Sequence, residues 1–288
     1  MKHNYYQNSK ASAIKKVAIQ GIRGAFHEEA ARQWFESEAI EIVPTLLFKD
    51  MVKAVAAKEI EHAVIAIENT ISGTIHQNLR LLSSYPVEIC GEISLRIRQN
   101  LGVLPGTSLK DLTEVRSHYM AINQCRRYFK EHPQIKLVED IDTALSAKTI
   151  AQQQLKTVGA IGSLQAMDFY GLEVIGRSIE TDKHNYTRFF VLAPKSEKRP
   201  TEGYNKVTIS AVLPHKAGSL NRLLTFFQLE AINLSKLESI TIVGQPYRYR
   251  FIMDLEFERG YNFENQLEQL QKLTCSYKIL GYYNSNNQ

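Results

Sequence analysis

Long apolar runs are absent from this 288-residue sequence. None of its hydrophobic stretches approaches the ~20 residues that a membrane-spanning helix needs, so no membrane partner is expected. Cysteine is scarce. Cys90, Cys125 and Cys275 are scattered and odd in number, which excludes a disulfide framework and fits reduced thiols in the cytoplasm. No cysteine pair has metal-ligand spacing, and the eight histidines form neither an H-x-x-x-H pair nor a Cys/His cluster, so no metal is expected. Basic tracts are missing as well. The net charge of +5 comes from 35 basic and 30 acidic residues spread along the chain. That excess suits attraction of small anions but points to no nucleic acid. Residues 1–16, MKHNYYQNSKASAIKK, lack the apolar segment of a signal peptide and read as a flexible tail.

What is present is an ordinary globular composition, 44% hydrophobic, in a length that suits two modest domains or one large and one small. From residue 17 to 193 strand and helix patterns alternate. VAIQG, EIVPT, HAVIAIE, TEVRSH, VGAIG and LEVIG read as strands, and HEEAARQWFESE, FKDMVKAVAAKE, TIHQNLRLLSSY, INQCRRYFKEH and DTALSAKTIAQQQL as helices. Repeated βαβ units with strands apolar throughout predict an α/β domain with mostly parallel sheet, covered on both sides. Residues 194–205, polar and rich in turn formers, read as a linker. Residues 206–284 then follow the order βαββαβ of a ferredoxin-like module.

Chemistry is best sought where strands end. QGIRGAF, ENTISGT, RSHY and GSLQ each close a strand with small or capping residues at the start of a helix. Two readings are open at these junctions. Gly21, Gly24, Ser117, His118, Gly162 and Ser163 either cap helices or help several helix N-termini hold an anion at the carboxyl edge of the sheet. The G-I-R-G spacing fits no nucleotide loop. Glu68 and Asn69 end the buried run AVIAI; since Ser72, Gly73 and Thr74 are able to cap the next helix, both are left for a site role. In DKHNYTRFFVL a cluster of polar side chains precedes a buried strand. Either it is solvated, or Asn185, Thr187 and Arg188 bind a small anion, with arginine suited to gripping a carboxylate.

Taken together and in order, these segments resemble the prephenate dehydratase family followed by an ACT regulatory domain. NYTRF resembles its Asn-x-Thr-Arg-Phe signature, IAIENTISGTI its strand ending in Glu-Asn-Ser, IQGIRGAFHEEAA its first glycine turn, and SHYMAINQC its Ser-His-Pro-Gln segment. Thr70 replaces serine and keeps the hydroxyl; Tyr119 and Met120 stand where Pro-Gln is usual, Ile22 where proline is, and Gln99 where histidine is frequent. The resemblance covers residues 17 to about 283. It implies a two-lobed, periplasmic-binding-protein-like catalytic domain over 17–193 with its site in the cleft, an ACT domain over 206–284, and a homodimer or homotetramer. It also implies conversion of prephenate to phenylpyruvate, water and carbon dioxide without a cofactor.

On that resemblance Thr187 serves the leaving hydroxyl, with Glu68 or His118 as its proton partner, and Asn69, Thr70 and Asn185 contact the substrate. Arg188 is assigned to the pyruvyl carboxylate, because clamping the departing carboxylate opposes the reaction; on this view Arg188→Lys raises KM more than it lowers kcat. Period-two alternation nonetheless sends Thr187 and Arg188 to opposite faces if both lie in a regular strand, in which case Arg188 braces the site from behind, paired with an acid. In the second domain HKAGSLNRLL and LESIT resemble the effector segments. They imply phenylalanine held by Gly218, Ser219, Leu220, Asn233, Glu238 and Ser239, although Ile240 and Thr241 stand in place of the usual Arg-Pro. Arogenate dehydratase and a non-catalytic binding paralogue are the competing readings.

Overall fold

The computed structural model describes residues 14–36, 38–197, 200 and 202–285. Most of the expected N-terminal tail and three positions of the expected linker therefore lie outside the described residues. Lys15 and Lys16 belong to the first strand. The chain opens with β1 (Lys15–Gln20), α1 (Phe26–Trp34), β2 (Ile40–Thr45), α2 (Phe48–Ala56), β3 (His62–Asn69), β4 (Gly73–Thr74), α3 (His76–Ser84), β5 (Val87–Arg96) and β6 (Asn100–Val103). It continues with β7 (Glu114–His118), α4 (Tyr119–Phe129), β8 (Lys136–Asp140), α5 (Thr143–Gln153), β9 (Val158–Gly162), α6 (Leu164–Tyr170), β10 (Glu173–Gly176) and β11 (Tyr186–Pro194). The last part holds β12 (Lys206–Val212), α7 (Ser219–Leu229), β13 (Asn233–Thr241), β14 (Tyr249–Glu256), α8 (Leu267–Leu273) and β15 (Ser276–Tyr283).

Contacts divide the chain into two units. The first comprises residues to 47, 60–64 and 97–183; the second comprises 48–59, 65–96 and 184 onward. The C-terminal module thus shares a unit with α2, α3, β5 and β11.

In the first unit β1 pairs in parallel with β2 and with residues 62–64 of β3. A five-stranded sheet runs in the order β10-β6-β9-β7-β8. Its β7, β8 and β9 are parallel, while β6 is antiparallel to both β9 and β10. The expectation of mostly parallel sheets is corrected here: the sheets are mixed. A parallel pair needs a crossover, usually a helix. β6 follows β5 after three residues and enters without one, so it runs against its neighbours. One apolar layer gathers Leu101, Val115, Ile122, Cys125, Phe129 and Ile161; another gathers Ala144, Ala147, Ile150, Ala160 and Met167. The apolar stripes of α4, α5 and α6 produce both.

In the second unit residues 65–69 of β3 lie beside β11, and β11 pairs antiparallel with β5 from Tyr186↔Arg96 to Pro194↔Val87. The C-terminal sheet has the order β13-β14-β12-β15, with α7 and α8 placed as the βαββαβ pattern requires. One face carries Val207, Ile209, Ala211, Met253 and Leu255, which pack with Leu223, Phe227 and Leu270 of the helices. The other face is polar yet buried: Lys206, Thr208, Ser210 and Asp254 are at most 3% exposed. β5 and α3 account for that burial. A side chain at Gly281 would sit 2.6 Å from the Ile89 Cβ, so only glycine allows this approach. Lys278 Nζ donates to the carbonyls of Leu82, Ser83 and Tyr85 at the C-terminal end of α3.

Candidate active site

In the second unit the C-terminal end of β3 and the start of β11 place two polar groups on opposite faces. Asn69 Nδ2 donates to Asn185 Oδ1 at 2.7 Å, to Thr187 Oγ1 at 2.9 Å and to the Tyr186 carbonyl at 3.1 Å. Asn69 Oδ1 accepts from the backbone N–H groups of Ile71 and Ser72 at 2.9 and 3.0 Å. The sequence left turn-capping to Ser72, Gly73 and Thr74. Asn69 performs it, because its own carbonyl oxygen reaches the turn while its amide faces β11. Thr70 Oγ1 accepts from Tyr186 N and donates to the His184 carbonyl, which fastens the two strand ends together. Asn69, Asn185 and Thr187 are buried, and the Asn185 Nδ2 has no hydrogen-bond partner. Such a donor costs about 1–3 kcal/mol when left unmade.

The Thr187 oxygen already accepts from Asn69, which leaves its own proton to be directed elsewhere. Around residues 186–191 the pairing of β11 is regular, and its register shifts only between Val191 and Leu192. Alternation therefore holds, and Arg188 turns to the other face. There Nε donates to Glu92 Oε2 at 2.7 Å, Nη1 to Glu68 Oε1 at 3.1 Å, and Nη2 lies 2.7 Å from Asp254 Oδ2. Arg188 also stands over the Phe190 ring. Burial acts to lower the guanidinium's proton affinity, but Asp254, Tyr283, Glu92 and Glu68 more than offset it and raise it. Lys206 Nζ bridges Glu92 and Glu256 at 3.0 and 2.9 Å, and Lys236 Nζ pairs with Glu68 and with Thr74 Oγ1. A cavity of about 440 Å³ borders this cluster, lined by Glu68, Thr74, Glu92, Arg188, Lys206 and Glu256 among others.

Glu68, read from the sequence as a proton partner of Thr187, thus shares the face of Arg188. Burial acts to raise its carboxyl, but the hydrogen bond from Lys236 and the charge of Arg188 prevail and hold it below the ordinary carboxylate range. It is an ionised brace for the strands, not a proton donor. Sequence reasoning missed Glu92, Lys206, Lys236, Asp254 and Tyr283. A signal was there for three of them: Glu92 in VEICGEISLR, Lys206 at the start of KVTISAV and Asp254 in FIMDLEF are charges set in runs of strand formers, the same anomaly as in NYTR.

In the first unit the residues at the helix starts are mostly occupied by the helices themselves. Gly21 and Gly24 adopt φ of +95° and +87°, and a Cβ on Gly24 would lie 2.6 Å from the Ala166 Cα. Ser163 caps α6 by accepting from Ala166 N and donates to the Gly24 carbonyl, joining that helix to the glycine turn. Ser117 Oγ donates to the Ile161 carbonyl. His118 Nδ1 accepts from Met120 N, so α4 starts normally despite Tyr119 and Met120. Burial keeps the His118 ring below its ordinary pKa against the pull of Asp142 and Glu139. Gly162 ends β9, and a Cβ there would lie 3.3 Å from Met167 Cε and 3.6 Å from the Thr143 carbonyl oxygen. Two residues not foreseen hold this edge. Buried Glu28 accepts from Gly24 N at 2.7 Å, and Asp142 caps α5 through Ala144 N and Leu145 N.

In the C-terminal module the expected effector residues divide into two groups. Gly218, at φ +76°, is the N-cap of α7; Ser219 and Leu220 line a cavity of about 380 Å³ together with His215, Lys216, Arg248 and Tyr249. Asn233 and Ser239 are exposed on β13. Glu238 instead binds Thr74 Oγ1 at 2.9 Å and His76 Nε2 at 2.7 Å, and Thr241 accepts from Arg80. Glu238 is corrected as a ligand contact: it links β13 to β4 and α3.

Residues 17–197 match the model of the family described as prephenate dehydratase. Arogenate dehydratase 2 of Petunia hybrida is 34% identical over 94% of this chain and 72% of its own length. Among solved structures, a prephenate dehydratase from Arthrobacter aurescens in complex with L-Phe superposes with a TM-score of 0.83 at 25% identity, over 93% of this chain and 89% of that one. GqqA, described as a novel type of quorum quenching acylase, superposes with a TM-score of 0.85 at 27% identity, over 95% of this chain and 99% of that one.

Proposed function

This chain belongs to the prephenate dehydratase family, and we propose that it converts prephenate to phenylpyruvate, carbon dioxide and water, with Thr187 serving the leaving hydroxyl. The observation that carries the assignment is the bond from Asn69 Nδ2 to Thr187 Oγ1. It fills a lone pair of the threonine and leaves the O–H free to donate. In the reaction the ring carboxylate leaves as carbon dioxide, and its bonding pair enters the ring as the C–O bond to the hydroxyl breaks. The departing oxygen takes one proton and leaves as water. A hydrogen bond from Thr187 to that oxygen strengthens as charge builds on it, which is the interaction catalysis requires. Asn185, with an unpartnered amide beside Thr187, supplies a donor to the substrate. Arg188 stays on the far face and positions the strand.

The test is direct. Purified protein is mixed with prephenate and phenylpyruvate is measured. Thr187→Val is expected to lower kcat by roughly 10²–10⁴, the usual worth of proton-transfer help, while KM changes little. An inactive wild type overturns the function, and a fully active Thr187→Val overturns the role of that residue. The 34% identity to an arogenate dehydratase favours a second substrate with an amino group on the side chain; the ratio of kcat/KM for the two substrates decides between them.

The C-terminal module is read as an ACT domain that binds phenylalanine at the start of α7. Support comes from the αL cap Gly218 and the adjacent cavity of about 380 Å³, which Lys216 and Arg248 line. Calorimetry at millimolar phenylalanine is expected to show saturable heat. Self-association through this module to a dimer or tetramer is supported by Leu237, Val243 and Tyr247, which are exposed apolar groups on or next to the edge strand β13. Light scattering on the purified chain measures it.

A further inference from the structure

We propose that Asp254 and Lys236, both in the C-terminal module, are positioning residues for the catalytic pair Thr187–Asn69, acting through Arg188 and Glu68. The inference rests on the dehydratase reading above. Thr187 and Asn69 are each followed or preceded in sequence by a charged residue on the opposite face: Arg188 beside Thr187, Glu68 beside Asn69. The two charged residues bind each other at 3.1 Å, as the two polar ones do at 2.9 Å. The strand pair is therefore clamped on both faces at the same level.

The charged face is held from the C-terminal sheet. Asp254, fully buried on β14, approaches Arg188 Nη2 at 2.7 Å, and its other oxygen accepts from Thr208 Oγ1 at 2.8 Å. The Thr208 hydroxyl is also 2.6 Å from the Tyr283 OH, whose ring edge meets Phe190 of β11. Lys236 on β13, with a side chain 8% exposed, ties Glu68 to Thr74 Oγ1. Glu92 also holds Arg188, but β5 supplies it, from the neighbouring strand of the same sheet. Asp254 and Lys236 come from a separate layer, as does the Tyr283 hydroxyl that accepts from Arg188 Nη2 at 3.4 Å, and they are the charged partners of the three. A guanidinium fork fixed at both ends, and a carboxylate held by two cations, fix the strand ends. A misplacement of about 1 Å at reacting groups is worth about 10²-fold in rate.

Wild type, Asp254→Asn, Lys236→Met and Lys236→Arg are compared on prephenate, with melting followed in parallel. Asp254→Asn and Lys236→Met are expected to lower kcat about tenfold or more with KM within about twofold, and Lys236→Arg to recover most of the loss. Combining Asp254→Asn with Thr187→Val is expected to cost less than the product of the two separate losses, since both act on one unit. Wild-type kcat in either single variant, a loss confined to KM, or full additivity with Thr187→Val overturns the proposal. Should Asp254→Asn fail to fold, Lys236→Met and Lys236→Arg carry the test. An inactive wild type instead overturns the dehydratase reading itself, and this inference with it.

Discussion

At the scale of single residues, the division of labour between neighbours decides the site. Thr187 and Arg188 are adjacent in sequence but serve opposite faces of one strand. The sequence assigned Arg188 to the substrate because a guanidinium suits a carboxylate. Its carboxylates turn out to be Glu68, Glu92 and Asp254. The expectation for Arg188→Lys changes accordingly. An ammonium cannot reproduce a fork that spans three acids. The variant is expected to lose kcat together with stability, with KM little changed, and steady-state kinetics beside a melting curve check it. Gly24 gives a second residue-scale prediction. Its positive φ and the 2.6 Å approach to the Ala166 backbone leave no room for a methyl group. Gly24→Ala is expected to destabilise by about 1–3 kcal/mol or more, measured by denaturant unfolding.

At the scale of elements, most helices and the strands between them were legible, because period 3.6 and short apolar runs are local signals. The strands passed over were β5, β6, β8 and the two-residue β4. β5 and β6 follow one another without a helix, so no change of period marks them. β5 also carries Glu88 and Glu92, which disguise a strand whose charges find partners only in three dimensions. The junction of α3 and β15 is an element-scale test. Burial, then the charges of Lys195 and Arg250, lower the Lys278 pKa from 10.5 to about 8. The unfolded chain thus binds more protons than the folded one between about pH 8 and 10.5, and this lysine's contribution to stability rises with pH across that window. Lys278→Met is expected to flatten that rise, as read from melting temperatures at pH 8 and pH 10.

At the scale of the whole molecule, the C-terminal sheet shares one contact unit with β5 and β11. The polar face of that sheet is buried on them, and its charges are paired there. Removing one member of a buried pair is far costlier than the pair is worth, so these strands should open together. Native-state hydrogen exchange is expected to give β5, β11, β12 and β15 a common opening free energy. Markedly faster exchange in β12 and β15 would show the C-terminal module opening alone.

The sequence by itself determined the alternation of strands and helices, the βαββαβ order of the C-terminal module and the family. Those follow from periodicity and from local motifs, which neighbours along the chain impose. Which partners each side chain meets was decided only by tertiary structure. A buried charge is tolerated only where its partner sits, and Asp254 and Glu92 reach Arg188 across 66 and 96 residues of chain while Lys236 reaches Glu68 across 168, distances over which no sequence pattern reports.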